Sequence, residues 1–404
     1  MVEMHLWTED PQNEGEQVTA AATLEHADGR KDTLWFRLPA EHSEWMTSRA
    51  DPFVIGVIFP LMENARRADA PVRLVVHGAV SPSLIRSLEE FQLAWAMWRP
   101  DLYGRGTIRG EVENETKGGP PDESTVMCFS GGVDSSFTAY MHSTSGMMRF
   151  PRPLDAGVMV QGWEYGLEEE PLFLRAEERS RRIIGSLGLP LIRITTNFRQ
   201  IVSRWSYSHG AAVASSLSLL QRRFQSALVA QTMTYRNNHL SLEGVNPITD
   251  WLLSSDSFRF IPDGAGYSRL EKIETISKWP EFLENVRVCW QDEEEKSENC
   301  CACEKCIRTI LQFRVLGLGL PPAFPCDVSD RQIEVVPMSA ETLEKTYQVI
   351  LGEARNRSIN APWVRSLERR AKRTRNYANI EARPRWRKLH FRAWRKMRLL
   401  LNRA

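Results

Sequence analysis

The segment Ser130-Gly131-Gly132-Val133-Asp134-Ser135-Ser136 has the residue types of an anion cradle. It follows a short apolar run, Val126–Phe129, and opens a stretch with helical patterning, Ser135–His142. Adjacent glycines let the backbone turn tightly and come close to a ligand. Their N–H groups, that of Val133 and the start of the helix would then point at a phosphate. The hydroxyls of Ser130, Ser135 and Ser136 add donors. A carboxylate at Asp134 should repel phosphate, so its expected role is to hold Mg²⁺, which bridges it to the phosphates. The loop lacks the Gly-Lys-Ser/Thr ending of a Walker loop.

A second group of residues suits metal chemistry. Of seven cysteines, Cys128 and Cys326 stand apart, and Cys289, Cys300, Cys301, Cys303 and Cys306 crowd together. In a reducing compartment such crowding indicates metal binding and not disulfides. Cys289, Cys300, Cys303 and Cys306 give the spacing C-x10-C-x2-C-x2-C. Four thiolates so spaced fit a tetrahedral structural Zn²⁺ site with no open position for water. Cys301 is surplus and could replace one ligand, Cys300 in particular. Iron–sulfur ligation is a second option.

The loop is similar to the pyrophosphate loop of the ATP-pyrophosphatase superfamily. That resemblance implies an adenine nucleotide α-hydrolase-like fold. It also implies cleavage of ATP between the α- and β-phosphates, giving an adenylated substrate and pyrophosphate. Loop and late cysteine group together resemble 7-cyano-7-deazaguanine synthases, over roughly Thr125 to Gly319. The local stretches that carry this are Gln161-Gly162-Trp163, Gly185-Ser-Leu-Gly188, Gly244-Val-Asn246, Tyr267–Ile273 and Asn299–Cys306. Cys301 stands where that family usually has glycine, and Arg269 where it usually has lysine. The family's Pro-Asp-Cys-Arg run is not recognisable, although Pro262-Asp263 lies near.

What the resemblance implies is ATP bound by residues 130–136 and Gly162, and catalytic roles for Asp134, Arg269 and Lys272. The group adenylated would be the carboxylate of 7-carboxy-7-deazaguanine, as in queuosine biosynthesis, with an amine as acceptor. The chain extends beyond a plain synthase at both ends and so resembles relatives from bacterial antiviral-defence operons. There the resemblance implies joining the deazaguanine to a protein N-terminus instead of ammonia.

Glu243, Asn246 and Asp250 are candidates for reading a guanine-like edge, with helix capping or turn formation after Pro247 as the plain alternative. Arg269 and Lys272 could bind a carboxylate or neutralise phosphate charge. His209-Gly210 could be a phosphate contact or a turn before a helix, and the turn is the favoured reading. Arg308 could reach ATP or pair with the acidic run Asp292–Glu295.

These residues need a scaffold, and the chain supplies three regions. Residues 1–118 read as a small α+β domain. It has strands at Val18–Glu25, Thr33–Leu38 and Val72–His77, and helices at Val54–Arg67 and Ser81–Trp98, the last with Ser81 as N-cap and Pro82 at N1. A polar Gly/Pro linker follows. Residues 119–326 alternate strand and helix. Strands are expected at Val126–Phe129, Ala156–Val160, Leu191–Thr195 and His239–Glu243, with helices at Leu174–Leu187 and Ala211–Leu220. That alternation predicts an α/β, doubly wound, mostly parallel sheet with ligands at the carboxyl ends of its strands. Residues 327–404 form a helical, basic region with a helix at Ala340–Gly352.

The net charge is only +1. Yet residues 362–404 carry 15 Lys/Arg against 2 Asp/Glu, a balance of +13 that leaves −12 on the rest. The tail could bind nucleic acid, an acidic membrane or an acidic protein surface. No apolar stretch is long enough to span a bilayer, and the polar, acidic start has no signal-peptide pattern, so a cytoplasmic protein is expected. Two other functions fit parts of this pattern: a tRNA-thiolating enzyme with the same loop, and an ATP-gated scaffold that holds nucleic acid.

Overall fold

The computed structural model describes residues 1–115, 123–237, 242–289 and 299–381. It divides into two compact units, Met1–Arg287 with Asp292–Ser297, and Val288–Gln291 with Glu298–Ala404.

In the first unit the strands are β1 Val2–Thr8, β2 Gln12–Glu14, β3 Gln17–Glu25, β4 Lys31–Pro39, β5 Val72–Val80, β6 Thr107–Glu113, β7 Thr125–Cys128, β8 Leu154–Gln161, β9 Leu191–Thr196, β10 Ser226–Ala230 and β11 Arg259–Asp263. The helices are α1 Asp51–Gly56, α2 Ile58–Arg67, α3 Pro82–Trp98, α4 Val133–Ser143, α5 Glu170–Gly185, α6 Phe198–Ile201, α7 Trp205–Ser218, α8 Arg269–Ile276 and α9 Pro280–Asn285. All eleven strands lie in one sheet, in the order β11-β10-β7-β8-β9-β4-β3-β1-β5-β6, with β2 on β3. The class is α/β and the sheet is mostly parallel.

Strands β7 to β11 are all parallel to one another. Counted from β7, their spatial order is 3-2-1-4-5. The chain leaves β7 towards β8 and β9, then returns to β10 on the other side. This reversal opens a crevice at the carboxyl ends of β7 and β10, where doubly wound sheets bind ligands. Helix α7 packs on β7 and β10 and against α1. That contact is close because α7 is rich in small residues: Ser215 Oγ donates to the Pro52 carbonyl at 2.5 Å.

The structure departs from the expected organisation at the boundary foreseen after residue 326, because the second unit begins at Val288 and includes the cysteine group, and in two further places. First, the polar stretch near residue 118 does not divide the sheet. β4 and β9 pair antiparallel, Phe36 opposite Thr196 and Arg37 opposite Thr195, so the N-terminal elements form the other half of the same sheet. Asn197 continues this short joint because its amide mimics a peptide group. Its Oδ1 accepts the Trp35 N–H at 3.0 Å and its Nδ2 donates to the Thr33 carbonyl at 2.7 Å. Second, β10, Ser226–Ala230, is a strand beside β7 that the pattern did not predict, and the strand expected at His239–Glu243 falls mostly outside the described residues. Residues 238–241 lie outside the described residues, and Leu242 and Glu243 are not in a strand.

In the N-terminal half, Met4, Leu6, Leu24, Leu34, Phe36 and Leu74 alternate into a core with α1, α2 and α3. Their neighbours, including His5, Trp7, Trp35 and His77, lie on the opposite face, where Trp7 and His77 stack with ring centroids 3.4 Å apart. Ser81 stands at the N-cap of α3 with Pro82 next, as expected, but its hydroxyl does not cap the helix. It donates instead to the buried Asp51 carboxylate at 2.8 Å.

The second unit is helical: α10 Glu304–Leu316, α11 Asp330–Val335, α12 Ala340–Thr342, α13 Gln348–Asn356 and α14 Pro362–Glu381. The expected helix at Ala340–Gly352 is present as α12 and α13, joined by a wider π-type turn at Leu343–Tyr347. Tyr347, Ile350, Leu351 and Leu367 are buried. The expected linker core at 116–122, the acidic run Asp292–Glu295 and the tail from residue 382 lie outside the described residues. Among the described residues no helix is long and apolar enough to cross a membrane.

Candidate functional site

The Ser130–Ser136 loop lies at the sheet's reversal point. β7 ends at Cys128 and α4 begins at Val133 with Gly132 as its N-cap. Gly131 has φ +69, a conformation that favours glycine. A Cβ there would also meet Ser180 Oγ of α5 at 2.7 Å. Ser135 Oγ lies 3.3 Å from Ser130 Oγ and closes the loop from within. Ser136 is fully buried, and its Oγ has no hydrogen-bond partner among the described residues. The first N–H groups of α4 have no carbonyl one turn back to bind. Together these form a set of donors that an anion would satisfy.

The expected trio Asp134, Arg269 and Lys272 is brought together. Helix α8 starts at Arg269 because Ser268 and Glu271 form a capping box. Ser268 N–H donates to Glu271 Oε2 at 2.7 Å, and Glu271 N–H to Ser268 Oγ at 3.3 Å. Residues 269 and 272 then fall three apart on one helix face. Arg269 donates to Asp134 Oδ2, and Lys272 Nζ to Asp134 Oδ1 at 3.0 Å. Lys272 is 1% exposed, and its ammonium also donates to the Gln231 carbonyl at 2.5 Å. Asp134 therefore holds a cationic side chain on each oxygen, and a Mg²⁺ ion bound there would share the carboxylate with them.

Gln231 follows β10 directly, and sequence reading passed over it because it passed over β10. It links the loop to the region expected to read substrate. Its Nε2 donates to Asp250 Oδ2 at 2.6 Å, and the Asn246 N–H donates to Asp250 Oδ1 at 3.0 Å. Asn246 is occupied with its own turn. Its Oδ1 accepts the Ile248 N–H at 3.2 Å and the Thr249 N–H at 3.1 Å, and its Nδ2 donates to the Glu243 carbonyl at 3.0 Å. Asn246 and Asp250 thus hold the loop's shape, as the turn alternative requires. Glu243 contributes its carbonyl to the same turn.

His209-Gly210 is not a turn. Both residues lie inside α7 and dock the same loop. The Val245 N–H donates to His209 Nε2 at 3.1 Å, so His209 Nδ1 carries the proton and faces the Trp205 carbonyl at 3.3 Å. Burial lowers the His209 pKa, which keeps this neutral tautomer. A Cβ at residue 210 would collide with the Gly244 carbonyl. Gly162 has φ +101 and ends the turn after β8, donating its N–H to the Tyr165 carbonyl at 2.9 Å. Arg287, also passed over, approaches the Ser130–Ser136 loop. Its N–H donates to the Gly131 carbonyl at 3.5 Å and its guanidinium lies over the Tyr165 ring.

Burial pushes the Asp250 carboxyl up to about 7, against hydrogen bonds from Asn246 and Gln231 that lower it. The folded chain then binds this proton more tightly than the unfolded chain. The group favours folding at low pH, and that contribution is lost as pH rises from the ordinary aspartate range towards 7. Asp250→Asn, which carries no titrating proton but turns an NH₂ toward one of these donors, is expected to cost less stability at about pH 8 than at about pH 4. Urea denaturation midpoints at the two pH values check this, and an equal effect at both would contradict it.

In the second unit the thiols of Cys289, Cys300, Cys303 and Cys306 all lie within 4.8 Å of one another. Cys289 Sγ is 3.8 Å from Cys303 Sγ, and Cys300 Sγ 3.9 Å from Cys306 Sγ. An edge of a ZnS₄ tetrahedron with ~2.3 Å bonds measures about 3.8 Å, so the set fits a metal such as zinc. Cys303 is the N-cap of α10, a position that favours a thiolate, and the Cys303 N–H donates to Cys300 Sγ at 3.2 Å. Cys301 is not in the group. It is buried with φ +54 and its thiol donates to the Asn299 carbonyl at 3.4 Å. That positive φ accounts for a position where glycine would be easier.

Asn299 supports the cluster from behind, a role the sequence did not reveal. Its Oδ1 accepts the N–H groups of Val288 and Cys289 at 2.9 and 3.3 Å, and its Nδ2 donates to the Ala323 carbonyl at 3.0 Å. Arg308 pairs with Glu304 one helical turn away, at 3.7 Å.

Comparison of the chain with family models, with curated proteins and with solved structures found no match.

Proposed function

We propose that this protein is an ATP-dependent, AMP-forming ligase that adenylates a carboxylate and transfers the acyl group to an amine. The observation that carries this reading is the meeting of Asp134 with Arg269 and Lys272 at a Ser-Gly-Gly loop, at the sheet's reversal point. The N–H groups that open α4 and the Ser136 hydroxyl bind the ATP phosphates. Arg269 and Lys272, oriented by Asp134, neutralise the charge that grows on the leaving pyrophosphate, where preorganised cations act most strongly. Mg²⁺ carried in with ATP would supply further charge neutralisation. A substrate carboxylate oxygen attacks the α-phosphorus, and the bond to the β-phosphate breaks with its electron pair leaving on pyrophosphate. An amine then adds to the acyl carbon and AMP departs.

The proposed acid is 7-carboxy-7-deazaguanine, on the strength of the sequence resemblance over Gly244–Asn246 and Tyr267–Ile273. The amine is ammonia or the N-terminal amine of a partner protein in antiviral defence. RNA thiolation has less support, because four of the five crowded cysteines meet in one metal-sized cluster. The test is exchange of labelled pyrophosphate into ATP without any amine. Exchange should require the acid and fall to background in Asp134→Ala. Nucleotide binding with no exchange for this acid would overturn the substrate assignment.

A further inference from the structure

Helix α14 concentrates positive charge that the adenylation reading does not use. Residues 299–361 carry seven Lys/Arg and seven Asp/Glu, whereas residues 362–381 carry six and two. The excess of the described part of the second unit therefore sits on one helix. Its apolar residues Trp363, Val364, Leu367 and Ala371 are buried, and Arg365, Arg369, Lys372, Arg373, Arg375 and Tyr377 are exposed.

Arg365, Arg369, Arg373 and Tyr377 recur every four residues, so they form one ridge with steps of about 6 Å along the axis. Arg369 forms an ion pair with Glu334, whose charge Arg373 also feels, while no ion pair to a carboxylate among the described residues holds Arg365 or Lys372. We propose that this ridge binds single-stranded nucleic acid, with the arginines on successive phosphates and Tyr377 stacking on a base. Guanidinium groups match phosphate geometry. A line of cations that ends in an aromatic ring is how proteins track unpaired strands. A membrane surface is disfavoured, because the apolar side that would enter lipid is already buried within the unit.

The test is fluorescence anisotropy of a labelled oligouridylate with the full chain. Arg365→Glu/Lys372→Glu/Arg373→Glu is expected to weaken binding by at least about tenfold and to flatten the log–log salt dependence by roughly 2. Since those side chains are exposed, the melting temperature should hold. Tyr377→Ala should weaken binding by about tenfold through lost stacking, leaving the salt dependence unchanged. The proposal is overturned if the wild-type chain does not bind the RNA or if the triple variant binds as tightly. Displacement of the RNA by polyglutamate as readily as by unlabelled RNA would also overturn it, in favour of an acidic protein partner.

Discussion

Lys272→Met is expected to lower pyrophosphate release by about 10²–10³-fold, the usual effect of removing one preorganised charge from a transition state. The size follows from burial. Lys272 is 1% exposed, so water cannot take over its role. Its ammonium joins Asp134 on α4 to the Gln231 carbonyl after β10, the two sides of the crevice. Arg269 remains on Asp134 in the variant, so the carboxylate keeps one partner and the loop should still fold. Lys272→Arg separates charge from shape: it restores the cation but not its fit beside Gly264, where even a Cβ would lie 3.4 Å from Nζ. Steady-state assays alongside thermal melts check this. Full activity in Lys272→Met would remove the residue from the mechanism.

Removing the metal should have an equally large effect, on folding. Structural zinc contributes about 10–16 kcal/mol in small zinc domains, as much as the whole stability of an ordinary domain. The helices of the second unit are short apart from α10 and α14. Cys303 caps α10, and Asn299 ties the chain around Cys289 to the rest of the cluster. A strong chelator should therefore make residues 288–381 open to proteolysis while the large sheet of the first unit stays protected. Metal analysis should find one ion per chain. Cys300→Ser should lose it and Cys301→Ser keep it, because only the first thiol belongs to the group. Unchanged proteolysis after chelation, or equal metal loss in both variants, would contradict this.

Several parts of this arrangement were legible in the sequence because their causes are local. The Ser130–Ser136 loop depends on glycines and serines that are consecutive in the chain. The α8 cations depend on a capping box written into Ser268 and Glu271. The cysteine spacing marks its own cluster, and the structure separates Cys300 from Cys301 through the backbone angle at residue 301. Long-range features left no such mark. The joint between the two halves of the sheet rests on two residue pairs and one asparagine amide. β10 is five residues long, two of them alanine, and residues 239–243 made an equally plausible strand. With β10 passed over, Gln231 could not be seen at the crevice. His209 resembled a turn because glycine follows it, although that glycine serves a close helix–loop approach.

Product analysis with ATP, Mg²⁺ and 7-carboxy-7-deazaguanine decides whether adenylation takes place. AMP and pyrophosphate are expected in equal amounts, dependent on the acid and absent with Asp134→Ala. ADP and phosphate, or release indifferent to Asp134, would contradict it.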